Sequence, residues 1–400
     1  MNNYTIVEVK TTKDAKNFRA VANQIYQGDT AWVKPFDSDI ESVFDPARNE
    51  RFNGGQAVRW ILYQQGQAVG RIAAFFNGED ASKESQPTGG CGFFECINSI
   101  EAAHYLFDTA REWLGQRGMQ AMDGSVNFGD RMMWWGVMVK GFVEPIYGMN
   151  YNKPYYKELF EEYGFEVYFN QHTYLRRLEE SIHMEPALYA KAERLFADPD
   201  YLFTTFDKGD MPKMARDFVE VYNTGWAKFE GVKPLNFEHA MAMFSKMKLL
   251  IDPHVIHMAY YKGQAIGFFV MVPDLNRILR YLDGKLGWWQ KLRLIYMLRV
   301  SCKIDRVAGL IFGVHGDFQG KGVEAGMIRS FEIYIDGQRE SGHQQYKSLI
   351  MGWIGDFNPV MMRMCEGYVK AEKYIQHSTY RYLFDRGATF ERCPRLGRKK

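Results

Sequence analysis

The sequence predicts an α/β protein built from two similar units in tandem, each organised around a mixed sheet. Three observations predict this class: a strand–turn–strand motif occurs twice, a second match follows it in the same order, and strands alternate with amphipathic helices. Four hundred residues, of which 46% are hydrophobic and 24% charged, are enough for two ordered cores.

The repeated motif is a hairpin. Residues 63–70 (YQQGQAVG) recur as residues 260–267 (YYKGQAIG), so that Gly66 corresponds to Gly263, 197 positions later (263 − 66). Each copy predicts two apolar strands joined by a two-residue turn that ends in glycine. Residues 171–174 (QHTY) resemble residues 376–380 (QHSTY) at a similar offset. Two collinear matches indicate duplication of a unit about half as long as the chain.

Apolar periodicity predicts the same order of elements in both copies. Helical spacing is present at residues 14–27, 102–117, 211–228 and 323–339. Apolar strands precede the longer helices at residues 92–97 and 309–314, and aromatic-rich strands close the copies at residues 165–175 and 374–384. Turn signals, including Pro186 and Pro199, predict a linker over residues 181–200. We therefore expect domains over residues 1–180 and 201–400.

Composition argues against several classes of protein. Lys plus Arg total 50 against 48 for Asp plus Glu. The net charge is therefore too small to produce a positive electrostatic field that would favour nucleic acid as a partner. The N-terminus lacks the apolar stretch of a secretion signal, and basic residues interrupt residues 286–300, so no membrane span is expected. Cysteines 91, 96, 302, 365 and 393 form no Cys-x-x-Cys pair. Reduced thiols, no bound metal and a cytoplasmic location are the expectation.

The most informative loop joins an apolar strand to an amphipathic helix over residues 314–323 (VHGDFQGKGV). Glycines allow the backbone N–H groups to converge, and the start of the following helix adds a positive dipole end, so a pyrophosphate is a suitable ligand. A Walker A loop is excluded because Gly322 stands where Ser or Thr would bind magnesium. The dinucleotide pattern fails because position 325 is alanine.

The segment Gln319-Gly-Lys-Gly322-Val-Glu324 resembles motif A of the GNAT (GCN5-related N-acetyltransferase) superfamily, with Glu324 as its one departure. Residues 349–368 resemble the family's fifth strand, its Asn and its fourth helix, and residues 150–165 resemble the same module in the first copy. The first copy has Cys96 to Ala102, without glycine, where the loop belongs. The resemblance therefore implies two tandem GNAT-like domains, the first degenerate.

The resemblance also implies the function and the site. The chain is expected to transfer an acyl group from acetyl-CoA or another acyl-CoA to an amine of a small molecule or peptide. The cofactor would be held by Phe312, Val314, Phe318, Gln319, Gly320, Lys321, Gly322, Val323 and Asn358. His315 is the candidate base because its ordinary pKa suits proton transfer near neutral pH. Asp356 could share that role. Cys365 stands seven residues after Asn358, where the family commonly has a tyrosine that acts as the general acid.

Alternatives remain open. The chain could bind acyl-CoA without catalysis, or it could use charged tRNA, although no coiled-coil arm is found for the latter. The basic insertion over residues 276–306 could be a solvated helix, a lid or a basic patch for an anion. Its basic residues are Arg277, Arg280, Lys285, Lys291, Arg293, Arg299, Lys303 and Arg306.

Overall fold

The computed structural model describes residues 4–82, 85–181, 184–226, 233–299 and 304–395. Cys302 and Lys303, the side chain of Arg299 and the end of the helix predicted over residues 211–228 lie outside this description. No helix within these ranges is long and apolar enough to cross a membrane.

The first copy follows the predicted order of elements. They are β1 (Tyr4–Glu8), α1 (Thr12–Ile25), α2 (Asp37–Val43), β2 (Gly55–Gln64), β3 (Gln67–Asn77), α3 (Gly78–Ala81), β4 (Thr88–Cys96), α4 (Ile100–Gly115), β5 (Ala121–Gly124), β6 (Val137–Lys140), α5 (Tyr156–Tyr163) and β7 (Glu166–Arg177).

The second copy repeats this order with an added helix before its first strand, two helices instead of one between its third and fourth strands, and no counterpart of β6 among the described residues. Its elements are α6 (Pro186–Ala197), β8 (Tyr201–Thr205), α7 (Met211–Gly225), α8 (Phe237–Met247), β9 (Ile256–Tyr261), β10 (Gln264–Pro273), α9 (Asn276–Leu279), α10 (Trp288–Arg299), β11 (Arg306–Val314), α11 (Val323–Glu340), β12 (Ser348–Gly355), α12 (Pro359–Arg363) and β13 (Glu372–Leu383). The mixed α/β class is confirmed.

The repeated hairpin has the same backbone in both copies. The turn between β2 and β3 places Gln65 and Gly66 at φ 51° and 79°, and the turn between β9 and β10 places Lys262 and Gly263 at φ 50° and 82°. Two successive positive φ values fit the tight turn that follows the twist of an antiparallel hairpin. The repeated sequence therefore adopts the same turn conformation in both copies.

The chain forms two compact units. Unit 1 comprises residues 1–172, 278–294 and 374–393, and unit 2 comprises residues 173–277, 295–373 and 394–400. In unit 1 the strands follow the order β1-β2-β3-β4-β5, antiparallel except for the parallel pair β4–β5. In unit 2 the order β8-β9-β10-β11-β12 repeats this pattern, with β11–β12 as its parallel pair.

The last strand of the chain does not stay with the residues that precede it. Residues 374–393 belong to unit 1, where β13 pairs antiparallel with β5 from Tyr380–Gly124 to Leu383–Ala121. The sequence had predicted that this strand closes the second copy. The compact units therefore differ from two consecutive halves of the chain, because strand pairing depends on which edge is available and not on distance along the sequence.

Aromatic side chains fill the core of each unit. In unit 1, Phe107 on α4 packs against Phe160 on α5, with ring centroids 4.8 Å apart. In unit 2, Phe218 on α7 packs against Phe268 on β10 at 4.6 Å. Both pairs are fully or almost fully buried; the first joins two helices, and the second attaches a helix to the sheet.

Residues 181–200, which were expected to form a linker, contain the twelve-residue helix α6. It packs on α11, where Arg329 lies 3.4 Å from Glu193 and stacks over Tyr189. The sequence signal was present in Pro186, which occupies the first turn of the helix, where its missing N–H leaves no bond unmade.

Candidate functional site

The two parallel strands of unit 2 separate part of the way along. The ladder between β11 and β12 runs from Arg306–Ser348 to Gly309–Met351, and no further pair joins these strands among the described residues, although β11 continues to Val314 and β12 to Gly355. Where two strands separate, their unpaired backbone N–H and C=O groups can bind an extended ligand. The loop that follows β11 lies at the end of this opening.

The loop reaches α11 through two glycines in the left-handed region. Gly320 has φ 76° and Gly322 has φ 97°, and Gly322 begins the 18-residue helix α11 without a side-chain cap. A Cβ at Gly322 would lie 3.3 Å from Cβ of Lys191 on α6. The N–H groups of the first helical turn are therefore left without a side-chain acceptor, which is the arrangement that favours an anion.

His315 folds the loop back on itself. Its Nδ1 accepts a hydrogen bond from the backbone N–H of Asp317 at 3.2 Å, and its ring meets Phe318 edge-on. A neutral imidazole that accepts at Nδ1 carries its proton on Nε2. His315 therefore caps the loop, with Nε2–H as a donor in this tautomer, and its role as the base stays a prediction.

Phe318, Gln319 and Lys321 hold the outer part of the loop. Phe318 contacts Tyr261 on β9, with ring centroids 5.4 Å apart, and the Lys321 ammonium lies 4.9 Å from the Phe318 ring centre. The Gln319 amide donates to the carbonyl of Val314 at 3.3 Å. Lys321 is exposed and cationic, so it is available to a phosphate group.

Phe312 and Val323 face the core. Phe312 packs against Phe269, and its carbonyl accepts a hydrogen bond from the Trp226 indole at 3.1 Å. Val323 is fully buried and contributes its backbone to the first turn of α11. Both residues can therefore act on a cofactor only through the main chain.

Glu324, the departure from the family motif, turns toward the loop. Its Oε1 lies 3.5 Å from the backbone nitrogen of Gly320, at the long limit for a hydrogen bond. The carboxylate thus lies beside the N–H groups that would otherwise receive a phosphate. A bound anion must displace it or tolerate its charge.

The residues after β12 have mainly structural contacts. Asn358 caps α12 by accepting from the N–H of Met361 at 3.3 Å. Cys365 is fully buried with Sγ 3.8 Å from Sδ of Met351, and burial raises the pKa of its thiol to about 12. Asp356 lies half-buried just before Asn358. The predicted roles of these three residues in catalysis or binding stay predictions.

Tyr368 was not assigned a role from the sequence, and it lies at the end of a π-helical turn over residues 364–368. Burial, followed by the charges of Glu324 and Glu185, raises the pKa of its phenol. A phenol that keeps its proton is a candidate acid, and the signal available in the sequence was the Gly367-Tyr368 pair.

The corresponding opening of unit 1 is occupied by the chain itself. The β4–β5 ladder ends at Gly90–Asp123, and Val126 then donates its N–H to the carbonyl of Cys91 at 2.9 Å. Its carbonyl is so close to Gly92 that a Cβ there would lie 1.7 Å away. The edge of β4 is therefore not available to an extended ligand.

Two tyrosines complete the closure of unit 1. The Cys96 N–H donates to the hydroxyl of Tyr156 at 3.0 Å, and the hydroxyl of Tyr155 donates to the Cys96 carbonyl at 2.8 Å. The Tyr156 hydroxyl also donates to Glu95 at 2.7 Å, and Arg71 lies 3.3 Å from the same carboxylate. Burial raises the pKa of Glu95, while Arg71 and the tyrosine hydroxyls oppose that shift.

Comparison with solved structures shows that the chain has the tandem GNAT fold. A tandem GNAT protein from the clavulanic acid biosynthesis pathway matches 96% of this chain and 99% of its own length, with a TM-score of 0.53 and 10% identity. A GCN5-related glucosamine N-acetyltransferase region of a fungal multi-domain β-N-acetylglucosaminidase matches with the same TM-score and 11% identity, and this chain spans 38% of that protein.

Two curated proteins are similar in sequence along nearly the whole chain. Protein YghO of Escherichia coli is 24% identical over 378 residues, which are 92% of each protein. A bacterial ceramide synthase of Caulobacter vibrioides is 22% identical over 372 residues, which are 90% of this chain and 93% of that protein. No protein-family model matches the chain.

Proposed function

We propose that this protein is an acyl-CoA-dependent N-acyltransferase that binds its cofactor once, in the second copy. One observation carries the proposal: at the opening of unit 2 only the side chains of Trp226 and Gln319, in the described part of the chain, occupy β11 carbonyls beside the glycine loop, whereas in unit 1 the backbone of Val126 fills the β4–β5 opening. The fold comparisons support the acyltransferase class, and the loop supports the choice of copy.

In the proposed reaction the loop and the first turn of α11 hold the pyrophosphate of the cofactor. Lys321 adds a positive charge at the outer side, and the main-chain groups of β11 pair with the pantetheine amides in place of the Trp226 and Gln319 side chains. An amine attacks the thioester carbonyl, forming a C–N bond as the C–S bond breaks. The amine loses a proton to solvent or a base, and the leaving thiolate takes one from an acid.

Two residues are proposed for the proton transfers. His315 is the proposed donor through its Nε2–H near the end of β11, a choice supported by the hydrogen bond that Nδ1 accepts from the Asp317 amide. Tyr368 is the proposed acid, because burial and the charges of Glu324 and Glu185 raise the pKa of its phenol, which therefore keeps its proton. Tyr368→Phe should lower turnover without weakening coenzyme A binding, whereas a packing role alone would change neither quantity.

The experiment combines calorimetry with turnover. We expect one coenzyme A site per chain and release of free thiol from acetyl-CoA or longer acyl-CoAs in the presence of an acceptor. The acceptor panel should include small amines, peptides and long-chain amino alcohols. The amino alcohols are included because the Caulobacter relative is named a ceramide synthase. Two equivalent sites would contradict the assignment to one copy. Binding without thiol release for any acceptor would favour a non-catalytic binding protein.

A further inference from the structure

One segment concentrates exposed apolar side chains. Seven of the eighteen large hydrophobic residues that are exposed in the described structure fall between Tyr281 and Tyr296. Trp288 and Trp289 are 63% and 64% exposed and stack on each other with centroids 3.8 Å apart. Such a concentration on one short segment is typical of an interaction surface.

The geometry of α10 places these side chains on one face. At 100° per residue, the exposed large hydrophobic residues of the helix fall within an arc of about 120°. They are Trp288, Trp289, Leu292, Ile295 and Tyr296. Met297, which is 4% exposed, points to the opposite side. The apolar arc therefore faces solvent, while the other face of the helix is the one that is covered.

Cations flank the apolar arc. Lys291 lies beside one edge and Arg293 beside the other, both exposed, and neither forms an ion pair within the described part of the chain. Residues 284–299 contain Lys285, Lys291, Arg293 and Arg299 and no acidic residue. Long basic side chains at the borders of an aromatic-rich apolar face are the pattern of a helix that lies in a membrane interface.

The chain that leads into α10 is firmly held within unit 1. The carbonyl of Gly284 accepts a hydrogen bond from the N–H of Asp37 at 2.9 Å, and Lys34 forms an ion pair with Asp283 at 3.2 Å. Gly284 has φ 68°, and a Cβ there would lie 2.7 Å from the carbonyl oxygen of Pro35. The chain is thus held in position four residues before the exposed helix begins.

We infer that α10 docks this protein on an anionic phospholipid bilayer, with its tryptophans and Leu292 at the level of the headgroups. The charge of the segment complements an anionic surface. Twelve residues make a helix about 18 Å long, which suits a position parallel to the interface and cannot span the bilayer. The inference is independent of the proposed function, because it concerns the binding of vesicles in the absence of any acyl-CoA.

The test is co-sedimentation of the full chain with large vesicles of phosphatidylcholine, with and without phosphatidylglycerol. Wild type should bind the anionic vesicles, and added salt should weaken the binding. Leu292→Glu should weaken it by about tenfold or more, because it places a charge in the apolar arc. Leu249→Glu, at another exposed leucine outside α10, should bind as wild type does. Circular dichroism and urea unfolding check that both variants fold.

Three outcomes would overturn the inference. The first is wild type that does not bind anionic vesicles, and the second is equal binding by Leu292→Glu and wild type. The third is a wild-type dimer without lipid that becomes monomeric in Leu292→Glu, since the arc would then be covered by a second copy. Lys291→Gln and Arg293→Gln should each weaken binding to anionic vesicles by roughly fivefold and change binding to neutral vesicles little.

Discussion

The Glu324 carboxylate lies 3.5 Å from the backbone nitrogen of Gly320, so the loop proposed to hold a pyrophosphate already faces a negative charge from its own helix. Glu324→Gln should therefore tighten coenzyme A binding by about fivefold at low salt, because it removes repulsion worth about 1 kcal/mol near the phosphate.

Glu340→Gln, at the exposed far end of the same helix, is the matched control for the loss of one charge and should leave the affinity unchanged. Calorimetry at two salt concentrations checks both variants. Weaker binding by Glu324→Gln would show that the carboxylate organises the loop instead of competing with the ligand.

Gly322→Asp should weaken coenzyme A binding by about tenfold or more, because it adds a carboxylate at the start of α11 and strains a backbone at φ 97°. Gly342→Asp is the control: it also places Asp at a positive φ, 70°, just beyond the other end of the helix. Calorimetry compares the two variants. A folded Gly322→Asp protein with wild-type affinity would move the cofactor site elsewhere.

Substitution of His315 separates capping from chemistry. Asn can accept the Asp317 N–H as Nδ1 does but has no counterpart of Nε2, whereas Ala loses both. His315→Ala should destabilise the loop by about 1 kcal/mol and weaken coenzyme A binding. His315→Asn should keep the affinity and lower turnover. Wild-type turnover in His315→Asn would show that His315 only caps the loop and takes no part in proton transfer.

Tyr156→Phe should destabilise unit 1, because it leaves the buried Glu95 carboxylate and the Cys96 N–H each with one hydrogen bond fewer. The expected loss is about 1–3 kcal/mol in urea unfolding. Tyr105→Phe on α4 removes the hydroxyl of an exposed tyrosine and is the control. Coenzyme A affinity should stay constant in both variants, and a loss of affinity in Tyr156→Phe would give the first copy a part in cofactor binding.

Two buried histidines predict a loss of stability in acid. Burial lowers the pKa of His257 and of His377 to about 4, while an unfolded histidine titrates near 6.5. Between these values the unfolded chain binds more protons, so stability is full above about pH 6.5 and falls as the pH drops toward 4. The loss at pH 5 is about 2 kcal/mol for each histidine.

Urea unfolding at pH 7 and pH 5 measures this effect. His257→Leu and His377→Leu should each reduce the difference between the two pH values. His239→Leu, at an exposed position on α8, should leave the difference as in wild type. A stability that does not change with pH in the wild-type protein would contradict neutral burial of these rings.

Local patterns in the sequence predicted the elements well. The hairpin turn at Lys262 and Gly263 and the helix after Gly322 follow from residues that are neighbours in the chain. The sequence does not predict helix α6, because proline and the Ala-Asp-Pro sequence are typical of turns, although Pro186 also begins a helix. The direction of Glu324 could not be predicted either, because side-chain rotation places its carboxylate on either side of the helix start.

The sequence by itself determined the duplication, the mixed α/β class and the position of the glycine loop, because turn conformation and apolar periodicity are encoded by residues close together in the chain. Only the tertiary structure decided that β13 pairs with β5 in unit 1, that Val126 fills the β4 edge, and that the Trp288 face of α10 stays exposed. These features depend on which distant residues meet, and local patterns carry no information about such contacts.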